Sequence, residues 1–442
     1  MSLCVKNNIP NIYQMIEIGI QVVCTTMTRS WNFVDLFAGC GGLSLGLLRS
    51  GWNGLFAIEK NSDAFNALKT NLIDPQPKNR LSSQFNWPDW LPINPYSIEE
   101  LNKTYSDKLL SMRGELDLVV GGPPCQGFSL AGKRRSDDHR NHLFEEYLKF
   151  VELTQPKIIL MENVRGIALR FNSDKPPYSE LIKQGLEELE YQVASMVLDA
   201  SDYGVPQRRK RYFIYGIRKD GLFSSIDEFP LNKVIQKHRF NFLVSKGLDP
   251  YVKVSAEDAC SDLLTEGFET KDNVDTKTKG YKELVYNKPI TPYQVLMNRH
   301  CGPNMDSMRL AKHRSKTIER FEQIHKFCDK GVCLSKEDRE KFNMKKASFT
   351  PLAANMPAPT ITTLPDDQLH YCESRIHTVR ENARFQSFPD WFKFTGPYTT
   401  GGHRRKSECP RYTQVGNAVP PLLSEIIGYA LLSLCSRSKG ET

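Results

Sequence analysis

Trp31–Gly51 reads WNFVDLFAGCGGLSLGLLRSG. Its opening residues are mostly apolar, β-branched or aromatic, as a buried strand requires. AGCGG breaks that run, and LSLGLLRS has helical spacing that stops at Gly51. A second unit follows at once: LFAIE (Leu55–Glu59) predicts a short strand, and SDAFNALKTN (Ser62–Asn71) a helix with a Ser or Asp cap. A β-α-β-α order predicts a parallel sheet covered by helices. ELDLVV before GGPPCQ, KIILM before ENV, and RYFIYGI after Gln207 extend the sheet to about residue 218. The fold class is therefore α/β.

Beyond residue 218 the rhythm changes. Lys219 to Ala358 mixes short strands, polar loops and the amphipathic segment AKHRSKTIERFEQIHKF, which reads as a second, smaller domain. The apolar stretch AVPPLLSEIIGYALLSL (Ala418–Leu434) predicts a helix that returns to the first domain. The expected division is an extension over 1–30, a first domain over 31–218, a second domain and hinge over 219–411, and a returning segment over 412–442. Met27, directly before TRSWNFVDLF, offers an alternative start.

A hydrophobic share of 40% with 25% charged residues is ordinary globular usage and excludes collagenous, largely disordered or membrane-spanning chains. Ile18–Thr28 is too short and too polar to span a bilayer, and it makes a poor signal peptide, so the expected compartment is the cytoplasm. The 11 cysteines include no C-x-x-C pair, which argues against a disulfide framework, a ribbon-type zinc site or any other metal role. The formal charge of +8 favours a polyanionic partner, though many proteins with such a balance bind none.

Four strings carry chemistry. Asp35–Gly42 (DLFAGCGG) is a glycine turn between strand and helix, and Glu59 ends the next strand 20 residues after Gly39. At that spacing an acid in doubly wound folds takes ribose hydroxyls; Ser44 stands where a third glycine would complete a pyrophosphate fingerprint, so an adenosine-type cofactor is the expectation. The bland alternative is a tight turn beside a solvated acid. Gly121–Ser129 (GGPPCQGFS) follows a strand, its prolines stiffening the approach to Cys125 as suits a presented nucleophile; the alternative is a small buried hydrophobe. Met161–Val164 (MENV) places Glu162 at a strand end, where a buried carboxyl can hold and donate a proton. Gln207–Arg211 (QRRKR) begins a strand, and alternation puts Arg209 and Arg211 on one side, suited to a phosphate or a base carbonyl.

FVDLFAGCGG, GGPPCQGFS, ENV, QRRKR, RENARFQSFPD and QVGNAVPP, in that order, resemble the DNA (cytosine-5)-methyltransferase family from about Trp31 to the C-terminal helix. The resemblance implies an S-adenosylmethionine-dependent, Rossmann-like catalytic domain, with Phe37, Ala38, Gly39, Gly41, Gly42, Glu59, Pro124 and Asn417 around the cofactor. It implies Cys125 as the nucleophile that adds to carbon 6 of a flipped cytosine, Glu162 at the ring nitrogen, and Arg211 with Arg209 at the carbonyl oxygen. Ser129 and Thr363 would contact DNA, GKRRSDDHR would belong to a closing loop, and Lys219 to about Tyr371 would read the target. The acid that follows the third strand in this family has no clear counterpart in INPYSIEEL (Ile93–Leu101).

The implied enzyme acts on double-stranded DNA as a monomer, protecting it within a restriction system whose endonuclease need not associate stably. Three rivals differ in residues. A transfer-RNA-directed branch would carry a smaller recognition region, a silent DNA-binding regulator would need neither Cys125 nor Glu162, and an exocyclic amino-methylating enzyme would carry an acidic or Asn-headed motif in place of PPCQ.

Overall fold

The computed structural model describes residues 30–77, 79–124, 142–170, 176–220, 230–275, 279–400, 404 and 407–437. Its centre is a six-stranded sheet made of β1 (Asn32–Leu36), β2 (Asn53–Ile58), β3 (Leu118–Gly121), β4 (Ile158–Val164), β5 (Tyr191–Asp199) and β6 (Lys210–Arg218), in the order β2-β1-β3-β4-β6-β5. The first four run parallel. β6 enters antiparallel between β4 and β5.

The inner strands are largely apolar because both faces are covered. Along β4, Ile158 and Leu160 join the core on one face while Ile159 and Met161 join the core on the other. The second core is completed by α3 (His142–Thr154) and α4 (Tyr178–Glu188), which supply Phe150 and Leu186. The first is completed by α1 (Gly42–Ser50), α5 (Leu231–Ser245) and α8 (Pro421–Arg437). Helix α2 (Ser62–Leu68), capped by the Asn61 side chain, follows β2.

The expectation for RYFIYGI needs a correction. It forms β6, which is antiparallel, and its partner β5 is a strand that the sequence reading passed over. Only Ala200–Arg209 joins the two strands, with one short 3-10 turn at Ala200–Tyr203. So short a link allows antiparallel neighbours but not the helical crossover that parallel ones need. The partly polar run YQVASMVLD sits at the sheet edge, where its strand signal is weak.

Helix α8 packs on α1 where both backbones are bare. A Cβ on Gly46 would overlap Ser424 Oγ and lie 2.5 Å from Glu425 N, and a Cβ on Gly428 would overlap Ser50 Oγ. The Trp52 indole N–H donates to Gly428 O at 3.1 Å, fixing the same crossing. The helical stretch Arg411–Ser436 is apolar enough to cross a membrane, but 89% of its apolar window is buried within the protein.

The described residues between 246 and 411 hold short strands and helices that pack partly on the first core and partly around smaller ones, one of them built from Phe321, Ile324, Leu334, Phe342, Phe349, Leu369 and Ile376. RENARFQSFPD forms α6 (Val379–Phe385) and the turn after it. Its arginines are wholly buried and act as ties: Arg384 binds Asp390 at 2.9 and 2.8 Å and also Asp262, while Arg380 donates to Pro389 O and Phe392 O. Helix α7 (Arg411–Asn417) follows, and Ala418–Pro420 leads from it into α8.

Candidate active site

At the end of β1 the chain turns back on itself. Phe37 has φ 61°, Gly39 φ 57° and Gly41 φ 93°, the left-handed region where a side chain is disfavoured. Ala38 N–H donates to Ile58 O at 2.9 Å, which holds the turn against the end of β2. Gly39 N–H donates to Glu59 Oε2 at 3.1 Å, and Asn61 N–H to Glu59 Oε1 at 2.7 Å. Burial pushes the Glu59 carboxyl up from its usual range, while those two N–H groups oppose the rise.

A cavity of about 900 Å³ opens over this turn. Phe37, Ala38, Gly39, Gly42, Glu59, Pro124, Glu162, Arg209, Arg211, Thr363 and Asn417, eleven of the expected site residues, all line it. Cys125 and Ser129 lie outside the described residues, as does all of GKRRSDDHR.

Gly41, the remaining expected residue among those described, does not line the cavity. A Cβ there would lie 2.8 Å from Leu72 Cδ1, so its bareness serves the packing of the segment after β2. Gly42 is bare for a related reason, because a Cβ would overlap Val419 O. At Gly39, by contrast, no atom of the described residues beyond its chain neighbours lies within 4 Å of the place a Cβ would take.

Strand β3 delivers the proline loop. Gly121 has no room for a Cβ, which would lie 2.6 Å from Leu36 O, and a Cβ on Gly122 would lie 3.1 Å from Glu162 Oε2. Asn163, beside Glu162, donates from Nδ2 to Pro123 O at 3.2 Å and accepts Val164 N–H at 2.8 Å. It thereby ties the end of β4 to the loop that leads to Cys125. The sequence reading passed over Asn163, although its place inside ENV is a usable signal.

Glu162 and Arg211 form an ion pair, Oε1 to Nε at 2.9 Å, with side chains 13% and 11% exposed. The β4–β6 register explains it. Glu162 faces Phe213 across the antiparallel pair, so Arg211, two residues earlier, lies on the same face and one diagonal step away. Burial lowers the Arg211 pKa from its ordinary value, and Glu162 opposes that shift.

Arg209 is otherwise engaged. Its side chain is 1% exposed, and its guanidinium donates to Ile361 O at 3.1 Å, Gly416 O at 2.8 Å and Ala418 O at 3.1 Å. The expected second guanidinium for a substrate is therefore a main-chain tie that also touches the cavity wall.

Several wall residues carried no sequence signal. Asp35, under the turn, accepts the Ser44 hydroxyl at 2.5 Å; burial pushes its pKa up to about 7, against that hydrogen bond. Cys40 and Cys409 are buried or half-buried neutral thiols, and burial raises the pKa of each, Cys409 to about 12. Ser97 caps the helix Ile98–Thr104 by accepting Glu100 N–H at 3.2 Å, and Tyr96, Ser97, Ile98 and Glu99 form a further wall. Among the described residues no group of three or more His, Cys, Asp or Glu side chains is placed to hold a metal ion.

The arrangement offers an open glycine cradle beside a buried carboxyl at one place, and a carboxyl–guanidinium pair under a rigid proline loop at another. The chain as a whole is similar to known proteins. The family model described as C-5 cytosine-specific DNA methylase matches residues 31–433. The type II methyltransferase M.DdeI of Desulfomicrobium norvegicum is 30% identical over 403 residues, which span 90% of this chain and 87% of that protein. M1.HphI of Haemophilus parahaemolyticus is 30% identical over 419 residues, 93% of this chain and 88% of its own. Among solved structures, a protein described as a DNA modification methyltransferase encoded within an E. coli prophage superposes with a TM-score of 0.63 at 25% identity, over 92% of this chain and all of its own.

Proposed function

Because the chain belongs to the C-5 cytosine-specific DNA methylase family, and is thereby a DNA (cytosine-5)-methyltransferase using S-adenosylmethionine, we propose that it modifies a cytosine flipped out of duplex DNA through a covalent Cys125 adduct. The observation that carries this reading is the Glu162–Arg211 pair at 2.9 Å, in the same cavity as the Gly39 cradle and the Glu59 carboxyl.

The residues fit the cofactor. The bare space at Gly39 and the buried Glu59 carboxyl suit an adenosine sugar, with Phe37, Ala38 and Asn417 around it. Ser97 and Glu99 line the same cavity and are the residues we assign to the adenine amine. When bound, S-adenosylmethionine supplies the methyl group for carbon 5.

Everything else falls to this chain. Carbon 5 of cytosine is a weak nucleophile, and a thiolate bond from Cys125 to carbon 6 turns the ring into an enamine. Negative charge builds on the ring as sulfur adds. Glu162 answers it at the ring nitrogen as a proton donor, and Arg211 at the carbonyl oxygen as a charge-assisted hydrogen-bond donor. Arg211 holds one Glu162 oxygen at 2.9 Å, which orients the carboxyl. After methylation the carbon 5 proton leaves to water, the bond from sulfur to carbon 6 breaks, and Cys125 is restored. Asn163 positions the loop through its bond to Pro123 O.

Ser129 would lie near a phosphate, Thr363 would contact DNA, and the region from Lys219 to about Tyr371 would read the target. The type II relatives support a protective role beside an endonuclease that cuts the same sequence.

The test is to incubate the purified protein with S-adenosylmethionine and duplexes of varied sequence, and to map modified cytosines base by base. We expect 5-methylcytosine in one short motif, and with Cys125→Ala no methylation but retained DNA binding. Methyl groups on an exocyclic amine, or full activity of Cys125→Ala, would sink the mechanism.

A further inference from the structure

Two stretches far apart in the chain supply neighbouring parts of the cavity wall: Ile361–Thr363 contributes Thr363, and Val415–Val419 contributes Gly416, Asn417, Ala418 and Val419. Their backbones touch. A Cβ on Gly416 would overlap Thr362 O and lie 2.9 Å from Thr363 N. Both stretches are then tied to the start of β6 by two buried routes.

The first route is Arg209, whose single guanidinium serves Ile361 O, Gly416 O and Ala418 O. The second is a pair of glutamines. Gln207 accepts Ile361 N–H at 2.8 Å and donates to Gln386 Oε1 at 2.8 Å, while Gln386 donates to Val415 O at 2.7 Å and Ala418 O at 3.2 Å. All three side chains are buried, and Arg211 with its Glu162 partner stands two residues along.

We propose that Arg209, with Gln207 and Gln386, is a positioning device that makes the cofactor-side Asn417 and the DNA-side Thr363 move as one, so that each ligand strengthens the binding of the other. The proposal rests on the reading of those two residues given above. Stability alone is a poor reason for Arg209: its hydrogen bonds go to three carbonyls and a glutamine, its Nε has no hydrogen-bond partner among the described residues, and such a buried cation costs more than an apolar side chain of similar volume. A planar fork does what an apolar group cannot, since it fixes several acceptors in one geometry. If a bound cofactor shifts Gly416–Ala418, Ile361 must follow or a hydrogen bond to a buried charge is lost, at a cost of about tenfold or more in an equilibrium constant. Linkage makes the effect reciprocal.

The test uses the full-length protein. The Kd of S-adenosylhomocysteine is measured alone and with a saturating duplex that carries the mapped target, for wild type, Arg209→Lys and Gln386→Met. In the first variant an ammonium can serve only part of the carbonyl set. In the second a thioether cuts the glutamine route while keeping its volume, so Q386M carries the test if R209K does not fold. We expect wild type to bind S-adenosylhomocysteine at least fivefold tighter with duplex, and the ratio to fall below twofold in the variants. A merely structural role would lower the melting temperature and leave the ratio unchanged. A ratio of one in wild type, or a wild-type ratio kept by either folded variant, overturns the proposal. Failure of wild type to bind either ligand would instead overturn the reading of the site.

Discussion

Glu162 and Arg211 are held by each other and by the strands beneath them, so small changes beside them have readable effects. Gly122 is the most direct probe, because a methyl group there would lie 3.1 Å from Glu162 Oε2 and push the carboxyl by a few tenths of an ångström. Gly122→Ala is expected to lower kcat roughly tenfold while the Kd of S-adenosylhomocysteine stays put; equal losses in both would place the fault in folding. Asp35 gives a pH signature. Its pKa is about 7 in the folded protein against 3.8 for the free side chain, so the folded state holds that proton more tightly. Its stabilising effect is complete below about pH 4 and is lost as pH rises through 7, on the order of 4 kcal/mol at most. Cofactor-free wild type should therefore lose melting temperature relative to Asp35→Asn between pH 5 and 8, and a constant difference would show that Asp35 does not titrate there. At this scale the sequence named Glu162 and Arg211 from type and place. It did not separate Arg209 from Arg211, because alternation gives a direction and not a partner, and the carbonyls of Ile361, Gly416 and Ala418 come from remote chain.

Among the elements, α1 and α8 decide whether the two ends of the described chain stay together. Their crossing depends on bare backbone at Gly46 and Gly428, where Glu425 N and Pro421 O would each lie 2.5 Å from a Cβ on Gly46. Gly46→Val should cost roughly 3 kcal/mol or more, read as a lower midpoint in urea unfolding, because backbone cannot yield as a flexible side chain would. A midpoint within error of wild type would mean that α8 is held elsewhere. The sequence made both helices legible through their periodicity, and it flagged α8 as a helix that the first domain could use. That one glycine of each helix, Gly46 and Gly428, was a contact point was not visible, since isolated glycines within a helical pattern have many uses. The β5–β6 pair shows the same divide: the apolar run of β6 announced a strand, while its direction followed from the shortness of Ala200–Arg209.

For the whole molecule, the region from Lys219 to about Tyr371 is the expected carrier of target choice, and the rest the carrier of chemistry. Replacing Lys219–Tyr371 by the matching region of a relative with another specificity should move methylation to that relative's sequence, as read by base-resolved mapping; an unchanged target would place recognition in other loops. The tie between the parts is physical. Gln207–Arg208 pairs with Ala358–Pro359, Arg209 holds Ile361, and Thr363 reaches the cavity, so a graft that ends at Tyr371 must preserve these contacts. The sequence by itself determined the α/β class, five of the six central-sheet strands between Trp31 and residue 218 and the family, and it nominated the reacting side chains, because each is written in local periodicity or in short strings whose residue types the chemistry demands. Only the tertiary structure decided the direction of β6, the inward packing of Gly41, the main-chain duty of Arg209 and the wall of Ser97 and Glu99. Each of those depends on which distant segment comes to lie alongside, and local pattern carries no record of that.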